Sequence, residues 1–323
     1  MIKHVDHSFH IIKKKEQPQT AIYQEYRKEW VRRPTERDPG DYPIHVDIET
    51  TTKCNLRCTM CFQSFDKPVQ ENMMPDDIMD ILYEISGNAY SIKLQYRGEP
   101  LTDSFLPYAV KQAKRNGITE VMINTNANLL KGDMAKKVLL SGLDKIIFSV
   151  EGSNKDIYNQ TRIGGDFDTV VENIKNFMDM RKELNLSHPQ TRVQMVKTED
   201  NASDVEAFLE FWKDKVDEVA VEDELDFHAE TADTTPLPDW ACPQLYQRLI
   251  VLADGDIVPC CKSIIGGTGK QVVLGNIKDM TIKEAWTGTK MQMLRSFHET
   301  GQSHDVDMCA RCGLRKDMVK KVK

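Results

Sequence analysis

Three cysteines at the spacing C-x3-C-x2-C mark the stretch Cys54-Asn55-Leu56-Arg57-Cys58-Thr59-Met60-Cys61. The residues just before it, 44–49, alternate apolar and polar side chains as a β-strand does. The cysteines are therefore predicted to lie in the loop at the carboxyl end of that strand, where parallel α/β folds build their sites. Three thiolates can hold a compact metal centre and leave one metal position open. The alternatives are three buried cysteines, or three ligands of a zinc site completed elsewhere.

Strand and helix patterns alternate along the chain from residue 44 to about residue 220. Strands are predicted at 44–48, 92–96, 120–123, 145–150, 192–196 and, more weakly, 218–221. Helices are predicted between them, at 75–86, 105–116, 133–141, 167–184 and 203–215. Such alternation gives parallel strands joined by right-handed crossovers. We therefore expect the α/β class and a partial (β/α)6 TIM-like barrel that is open on one side.

Further motifs follow the predicted strands: Arg97-Gly98-Glu99-Pro100, Asn124-Thr125-Asn126 and Ser149-Val150-Glu151-Gly152. Together with the cysteine stretch and Phe62, an aromatic residue directly after the third cysteine, they resemble the radical S-adenosylmethionine (SAM) enzymes. The resemblance covers roughly residues 44–200. It implies a [4Fe-4S] cluster on the three cysteines, with SAM bound at the open iron.

Seven residues are candidates for binding SAM. They are Gly98, Glu99, Pro100, Asn124, Ser149, Glu151 and Arg162. Gly98 lacks a Cβ and lets the backbone approach a ligand, and the resemblance assigns the Gly-Glu-Pro backbone to the SAM amine. Asn124, Ser149 and Glu151 offer short polar contacts for ribose hydroxyls, while the guanidinium of Arg162 suits the SAM carboxylate. The alternatives are helix capping for Ser149 and Asn124, and a surface ion pair for Arg162.

The other five cysteines lie in the last 80 or so residues of the chain. They are Cys242, Cys260, Cys261, Cys309 and Cys312. The Asp254-Gly255 pair predicts a β-hairpin that ends just before Cys260. This region resembles the twitch form of the SPASM domain, which implies one auxiliary [4Fe-4S] cluster on Cys242, Cys260, Cys309 and Cys312. A zinc knuckle on the same four cysteines is the alternative.

Cys261 is left over, because adjacent cysteines can hardly both bind one iron cube without backbone strain. The resemblance favours Cys260 as the ligand. Cys261 is then either a small buried apolar residue or a catalytic thiol that donates a hydrogen atom to a substrate radical. The expected domains are an N-terminal extension at 1–43, the barrel at 44–235 and a small α+β cluster-binding domain at 236–323.

Composition restricts the partners and the compartment. The net charge of −7 argues against nucleic acid, because phosphate binding needs a basic face. No apolar run approaches the length of a membrane helix, and residues 1–15 lack the apolar core of a signal peptide. Grouped cysteines without such a signal predict the reducing cytoplasm. The acidic run 222–226 is either a solvated loop or the mouth for a cationic or polyhydroxylated substrate.

The resemblance implies an enzyme that reductively cleaves SAM to a 5′-deoxyadenosyl radical and then abstracts a hydrogen atom from its substrate. The expected reaction is oxidation or epimerisation, and the expected substrate is a small carbohydrate or aminocyclitol, bound as a small-molecule partner. The alternative is a peptide or protein maturase. A third hypothesis, which is not an enzyme, is a metal-binding scaffold without activity. An electron donor such as flavodoxin or ferredoxin is an implied partner.

Overall fold

A computed structural model describes residues 10–13, 20–64, 68–224, 231–264 and 272–322. Its strands are β1 (His10–Lys13), β2 (His45–Ile48), β3 (Arg57–Cys58), β4 (Ser91–Lys93), β5 (Glu120–Thr125), β6 (Lys145–Ser149), β7 (Arg162–Ile163), β8 (Gln190–Lys197), β9 (Glu218–Asp223), β10 (Arg248–Val251), β11 (Asp256–Val258) and β12 (Gly275–Asn276). Its helices are α1 (Ala21–Glu36), α2 (Pro75–Ile85), α3 (Leu106–Arg115), α4 (Gly132–Leu139), α5 (Lys155–Thr161), α6 (Phe167–Glu183), α7 (Val205–Trp212), α8 (Gln244–Gln247), α9 (Ile282–Thr287), α10 (Thr289–Glu299), α11 (Asp307–Ala310) and α12 (Gly313–Val322).

Ten of these strands form one sheet, in the order β1-β9-β8-β6-β5-β4-β2-β10-β11-β12. The six central strands from β9 to β2 run parallel to one another and are joined by helices, as the alternating sequence pattern predicts. The structure confirms the α/β class and the partial (β/α)6 barrel. Two short strands, β3 and β7, form a separate antiparallel pair beside the barrel.

Side chains on the barrel strands divide into two layers because successive residues of a strand face opposite sides. One face is apolar and packs against the surrounding helices in the main hydrophobic core, as Val46, Ile92, Ile123 and Phe148 do. The other face lines the inside of the barrel, which we call the lumen. The lumen-facing residues are largely polar or charged: His45, Asp47, Ser91, Lys93, Glu120, Asn124, Lys145, Ser149, Arg192, Gln194, Glu218, Glu222 and Arg248.

The C-terminal hairpin joins the barrel sheet directly, which the sequence did not predict. Strand β10 pairs parallel with β2, and β11 and β12 extend the sheet by antiparallel pairing. At the other edge, β1 from the N-terminal extension pairs antiparallel with β9. The expected boundary near residue 235 therefore falls between segments that share one sheet.

The acidic run predicted at 222–226 divides at the end of β9. Glu222 is half-buried, whereas Asp223 and Glu224 are exposed. Asp226 lies outside the described residues. In the part of the chain that the structure describes, no helix has both the length and the apolar character needed to span a membrane.

Candidate active site

The loop carrying the first three cysteines leaves the carboxyl end of β2, as predicted, and polar contacts fix its path. The guanidinium of Arg57 donates to the backbone oxygens of Cys54 and Leu56, at 3.0 and 2.6 Å. The hydroxyl of Ser64 donates to the backbone oxygen of Cys58 at 2.7 Å. Cys58 itself lies on β3, opposite Arg162 on β7. The loop is therefore tied both to itself and to the segment that follows α5.

The Gly-Glu-Pro segment packs directly on the chain just before Cys54. A Cβ added to Gly98 would lie 2.3 Å from the backbone oxygen of Thr51 and 2.7 Å from that of Lys53. The backbone N–H of Glu99 donates to the same oxygen of Lys53 at 2.8 Å. Only glycine permits this approach, because real Cβ atoms do not come so close to a backbone oxygen. Gly98 thus sets the distance between two loops of the site.

The carboxylate of Glu99 is buried and links the next motif to this one. It accepts hydrogen bonds from the hydroxyl of Thr125 at 2.6 Å and from the backbone N–H groups of Asn126 and Leu101, at 2.7 and 3.1 Å. Burial raises the pKa of Glu99, while these donors lower it. Asn126 in turn donates from its side-chain nitrogen to Asn55 at 2.9 Å. Glu99 therefore joins three loops at the carboxyl ends of the strands.

Arg162 and Glu151 form an ion pair beside Cys58. The Nε of Arg162 donates to Glu151, and its Nη1 lies 3.5 Å from the sulfur of Cys58. Burial lowers the pKa of Arg162, but the Glu151 carboxylate and the Cys58 thiolate offset this, and the pKa lies well above its usual value. Sequence reasoning selected both residues as SAM contacts but did not foresee that they pair with each other. The pair leaves a permanent positive charge next to the cysteine.

The chemistry of the three thiols fits a metal cluster. Burial raises the pKa of Cys58 to about 11, and it also raises those of Cys54 and Cys61. Neighbouring thiolates of the loop raise the pKa of Cys54 and of Cys58 further. Thiolates that repel one another in this way are stabilised by bound cations, which cluster irons supply.

Asn124 and Ser149 lie on the lumen faces of β5 and β6, near the carboxyl ends of those strands. The side-chain oxygen of Asn124 is buried and accepts no hydrogen bond within the described residues. A buried acceptor without a donor is costly, and a ligand hydroxyl would satisfy it. The geometry is consistent with the predicted contact to ribose.

Four of the remaining cysteines lie close to one another in the C-terminal part of the chain. Cys242 precedes α8, Cys260 follows β11, and Cys309 and Cys312 lie in and just after α11. Burial raises the pKa of Cys242 well above its usual value, as do the neighbouring thiolates of Cys312, Cys260 and Cys309. The pKa of Cys309 is raised in the same way by burial and by Cys260 and Cys312. The four thiols thus share one buried region.

Neither group of cysteines is preassembled as a site for a single metal ion in the described part of the chain. Within the ranges that the structure describes, no three His, Cys, Asp or Glu side chains are arranged to hold a single metal ion. A four-iron cube binds each thiolate to a different iron and so accepts a wider spacing than a zinc ion does.

Cys261 packs in a different apolar cluster from Cys260. The backbone at Cys260 is extended, with φ −165° and ψ 173°. Cys260, like Cys242 and Cys309, packs against the main core, whereas Cys261 and Tyr96 pack against the cluster around Ile250. Burial and the Cys312 thiolate raise the pKa of Cys261, and three lumen residues also act on it: Arg248, Asp47 and Lys93. Cys261 therefore borders the lumen.

Sequence reasoning missed the ion pairs of the lumen. The carboxylate of Asp47 lies 2.9 Å from the ammonium of Lys93 and 3.4 Å from the guanidinium of Arg248. Glu49 accepts from Arg97 at 2.5 Å and from the backbone N–H of Ala253 at 3.0 Å. The signal was present in the sequence, because polar residues occupy every second position of the strand His45–Ile48. These pairs connect the barrel to the C-terminal hairpin.

Comparison with protein families gives two matches. The family described as the radical SAM superfamily matches residues 48–211, and an iron-sulfur cluster-binding domain, SPASM, matches residues 242–313. The first match contains Cys54, Cys58 and Cys61, and the second contains the other five cysteines. Both resemblances drawn from the sequence are confirmed.

Curated relatives have different names. The tungsten-containing aldehyde ferredoxin oxidoreductase cofactor-modifying protein of Pyrococcus furiosus is 25% identical over 317 residues, covering 84% of this chain and 87% of that one. A GTP 3′,8-cyclase of Lactiplantibacillus plantarum is 26% identical over 174 residues, covering 53% of this chain and 51% of its own. The chain therefore spans about half the length of that cyclase.

Solved structures share the fold at low sequence identity. Streptococcus suis SuiB bound to precursor peptide SuiA has a TM-score of 0.65 at 16% identity, covering 94% of this chain and 77% of SuiB. BtrN in complex with AdoMet and 2-DOIA has a TM-score of 0.53 at 18% identity, covering 83% and 92%. The enzyme anSMEcpe with bound AdoMet has a TM-score of 0.61 at 19% identity, covering 80% and 84%.

Proposed function

The chain belongs to the radical SAM superfamily, and from this premise we propose that it oxidises or epimerises a small carbohydrate or aminocyclitol. Its cofactors are SAM, a [4Fe-4S] cluster that binds SAM, and an auxiliary iron-sulfur cluster in the SPASM domain. When bound, SAM and its cluster supply a 5′-deoxyadenosyl radical that removes a hydrogen atom from the substrate. The proposal concerns what that substrate is and what becomes of it.

The polar lumen is the observation that carries the proposal. Loop 54–61 follows the carboxyl end of β2, and Asp47, Lys93 and Arg248 of the lumen act on Cys261 of the hairpin region, so a substrate bound at this end of the lumen would meet both parts of the site. Charged and amide side chains line it, which suits a small molecule rich in hydroxyl or amino groups. A long peptide would instead need a groove that accepts backbone groups along its length.

The residues proposed to hold the cofactors follow from their places in the fold. Cys54, Cys58 and Cys61 bind the first cluster, and Cys242, Cys260, Cys309 and Cys312 bind the auxiliary one. The backbone at Gly98, Glu99 and Pro100 binds the amine of SAM, and Asn124 and Ser149 bind its ribose. Arg162 provides the positive charge near Cys58, and Glu151 fixes the guanidinium through their ion pair. Electrons come from a partner such as flavodoxin or ferredoxin.

Whether Cys261 donates a hydrogen atom decides between epimerisation and oxidation. If Cys261 donates a hydrogen atom to the substrate radical, the carbon is inverted and the product has the mass of the substrate. If the radical instead loses one electron and one proton, the product is two hydrogens lighter. The border position of Cys261 supports the first outcome, since its thiol is close enough to Arg248, Asp47 and Lys93 of the lumen, as well as to Cys312, for their charges to act on it.

The test is product analysis with anaerobically reconstituted enzyme, SAM and reductant. Carbohydrates, aminocyclitols and short peptides are supplied in turn, in deuterated water, and products are measured by mass spectrometry. We expect an altered carbohydrate or aminocyclitol together with 5′-deoxyadenosine. A modified peptide with no modified small molecule would overturn the substrate class. Absence of 5′-deoxyadenosine under every condition would overturn the activity itself.

A further inference from the structure

Among the described residues, the carboxylates on the lumen-facing side of the barrel strands pair with cations, with two exceptions. Asp47 pairs with Lys93 and Arg248, and Glu49 pairs with Arg97. Glu218 pairs with both Lys145 and Arg192, at 3.0 and 2.7 Å. Such pairs neutralise charges that would be costly to bury alone. The two exceptions are Glu120 and Glu222.

The two unmatched carboxylates lie at opposite ends of the barrel. Glu120 is the first residue of β5, at the amino ends of the strands, near Tyr23 of α1. Glu222 is the fifth of six residues in β9, at the carboxyl ends, where the loops of the active site lie. Only Glu222 is therefore placed to meet a substrate.

Glu222 has an amide partner but no ion pair. The side-chain nitrogen of Gln194 donates to it at 2.6 Å. Among the described residues, no cation lies within ion-pair distance of its carboxylate. Burial raises the pKa of Glu222, and Arg192 and Lys93 lower it from a distance. A half-buried carboxylate with one neutral donor has acceptor capacity left for a ligand.

Glu222 lies further toward the carboxyl ends of the strands than Asn124, which is proposed to contact the ribose of SAM. Through the pairing of β5, β6, β8 and β9, Asn124 is level with Glu218, and Glu222 lies four residues beyond Glu218. Three strand spacings of about 4.8 Å and four residues of about 3.3 Å separate the two positions by roughly 19 Å along the curved sheet. A substrate held by Glu222 therefore lies between the two side chains.

We propose that Glu222 binds a protonated amine of the substrate, which makes the substrate an amino sugar or an aminocyclitol rather than a neutral carbohydrate. The inference rests on the proposed function and narrows it to one substrate class. An ammonium group gives Glu222 the cationic partner that the other carboxylates at its end of the lumen already have. Gln194 holds the carboxylate in place from the side.

The test compares matched probes that differ at one group. Binding of glucosamine and glucose, and of scyllo-inosamine and scyllo-inositol, is measured by calorimetry in the presence of SAM without reductant. We expect at least one amine to bind about tenfold or more tightly than its neutral partner, as for a charge-assisted hydrogen bond. Glu222→Gln keeps the size of the side chain and should remove that preference.

Asp223→Asn is the matched control, because Asp223 is the next residue, is exposed and pairs with Lys197. It should leave the preference for the amine unchanged. Equal binding of amine and neutral probes by the wild type, a preference that survives in Glu222→Gln, or no binding of either amine would each overturn the proposal. A lower turnover in Glu222→Gln with unchanged affinity would also overturn it, since Glu222 would then act in the reaction and not in recognition.

Cleavage of SAM without any probe separates this inference from the proposed function. Wild type and Asp223→Asn should both form 5′-deoxyadenosine slowly when reduced, because Asp223 is exposed and not placed at the cluster loop. If neither forms it, the proposed activity is wrong. If both form it and the amine preference is missing in the wild type, only the assignment of Glu222 is wrong.

Discussion

The two sets of cysteines, the three in loop 54–61 and the four auxiliary ones, are held in place by different means. Loop 54–61 is fixed by hydrogen bonds from the barrel: Asn126 donates to Asn55, and Arg162 contacts Cys58. The four auxiliary cysteines are packed among apolar side chains instead, and Cys242 contacts both the main core and the cluster around Trp240. The segments bearing Cys309 and Cys312 are short, with only four residues in α11.

Because of this difference, loss of metal should affect the two regions differently. When the Cys58 thiol is lost, the first loop loses its contact with Arg162 but keeps the hydrogen bond between Asn126 and Asn55 and those of Arg57 and Ser64. The auxiliary region has short helices, and its buried thiolates repel one another unless metal is bound. We expect the first cluster to be needed mainly for the reaction, and the auxiliary cluster to be needed also for local folding.

The largest effect on SAM cleavage is expected for the three cysteines of loop 54–61. Cys58→Ala should abolish 5′-deoxyadenosine formation, because it removes one of only three protein bonds to the SAM-binding cluster. The thermal unfolding temperature should change little, because the neighbouring hydrogen bonds remain. Chromatography of the quenched reaction and calorimetry measure the two quantities. Normal 5′-deoxyadenosine yield would contradict the assignment of Cys58 as a ligand.

A large effect is also expected where no thiol is changed. Gly98→Ala forces a methyl group against the backbone oxygens of Thr51 and Lys53, and overpacking of this kind costs about 1–3 kcal/mol. The two loops must separate, so SAM affinity should fall together with the free energy of unfolding. Denaturant titration and equilibrium binding of SAM test this.

Gly87→Ala is the control for the glycine variant. Gly87 has a positive φ of 72°, and an added Cβ meets no atom within 4 Å. Its substitution should cost about 1 kcal/mol through backbone strain alone and leave SAM binding unchanged. Equal SAM affinity in Gly98→Ala and Gly87→Ala would mean that the contact of Gly98 with the loop is not important.

A smaller effect on SAM cleavage is expected at the auxiliary group. The reconstituted wild type should hold about eight irons, and Cys309→Ala or Cys312→Ala should hold about four. SAM cleavage should persist because loop 54–61 is intact, while hydrogen exchange in α11 and α12 should increase. Iron analysis with mass-resolved exchange tests both points. One equivalent of zinc with about four irons in the native protein would favour a zinc knuckle on the four auxiliary cysteines over an iron-sulfur cluster.

Local patterns predicted much of this molecule from the sequence. The alternation in residues 44–49 gave β2, and the cysteine spacing gave the cluster loop. Pairing between distant segments could not be read this way. The contact of Asp47 with Arg248 joins residues 201 apart, and no local signal indicates that β10 lies beside β2. The partner of a charged residue such as Arg162 is likewise fixed only by the fold.

The same limit applies to the two adjacent cysteines. Their distances along the chain to the other three auxiliary cysteines differ by only one residue, so spacing does not tell which of them is a ligand. The direction of each side chain depends on the backbone, which is extended at Cys260. Tyr96 adds a contact from the barrel, because its hydroxyl donates to the backbone oxygen of Cys261 at 3.3 Å. The first half of the molecule thus helps to place a thiol of the second half.

The smallest effect on SAM cleavage, and the most informative about the product, is expected at Cys261. Cys261→Ala should leave the iron content and 5′-deoxyadenosine formation unchanged, because the thiol lies outside the quartet. If Cys261 supplies a hydrogen atom to the substrate carbon, the sulfur radical left behind must regain one electron from the reductant and one proton from solvent. Wild type in deuterated water should then place one deuterium at the inverted carbon, and the variant should form no inverted product. A product two hydrogens lighter, formed equally by Cys261→Ala, would make the enzyme a dehydrogenase and Cys261 a packing residue.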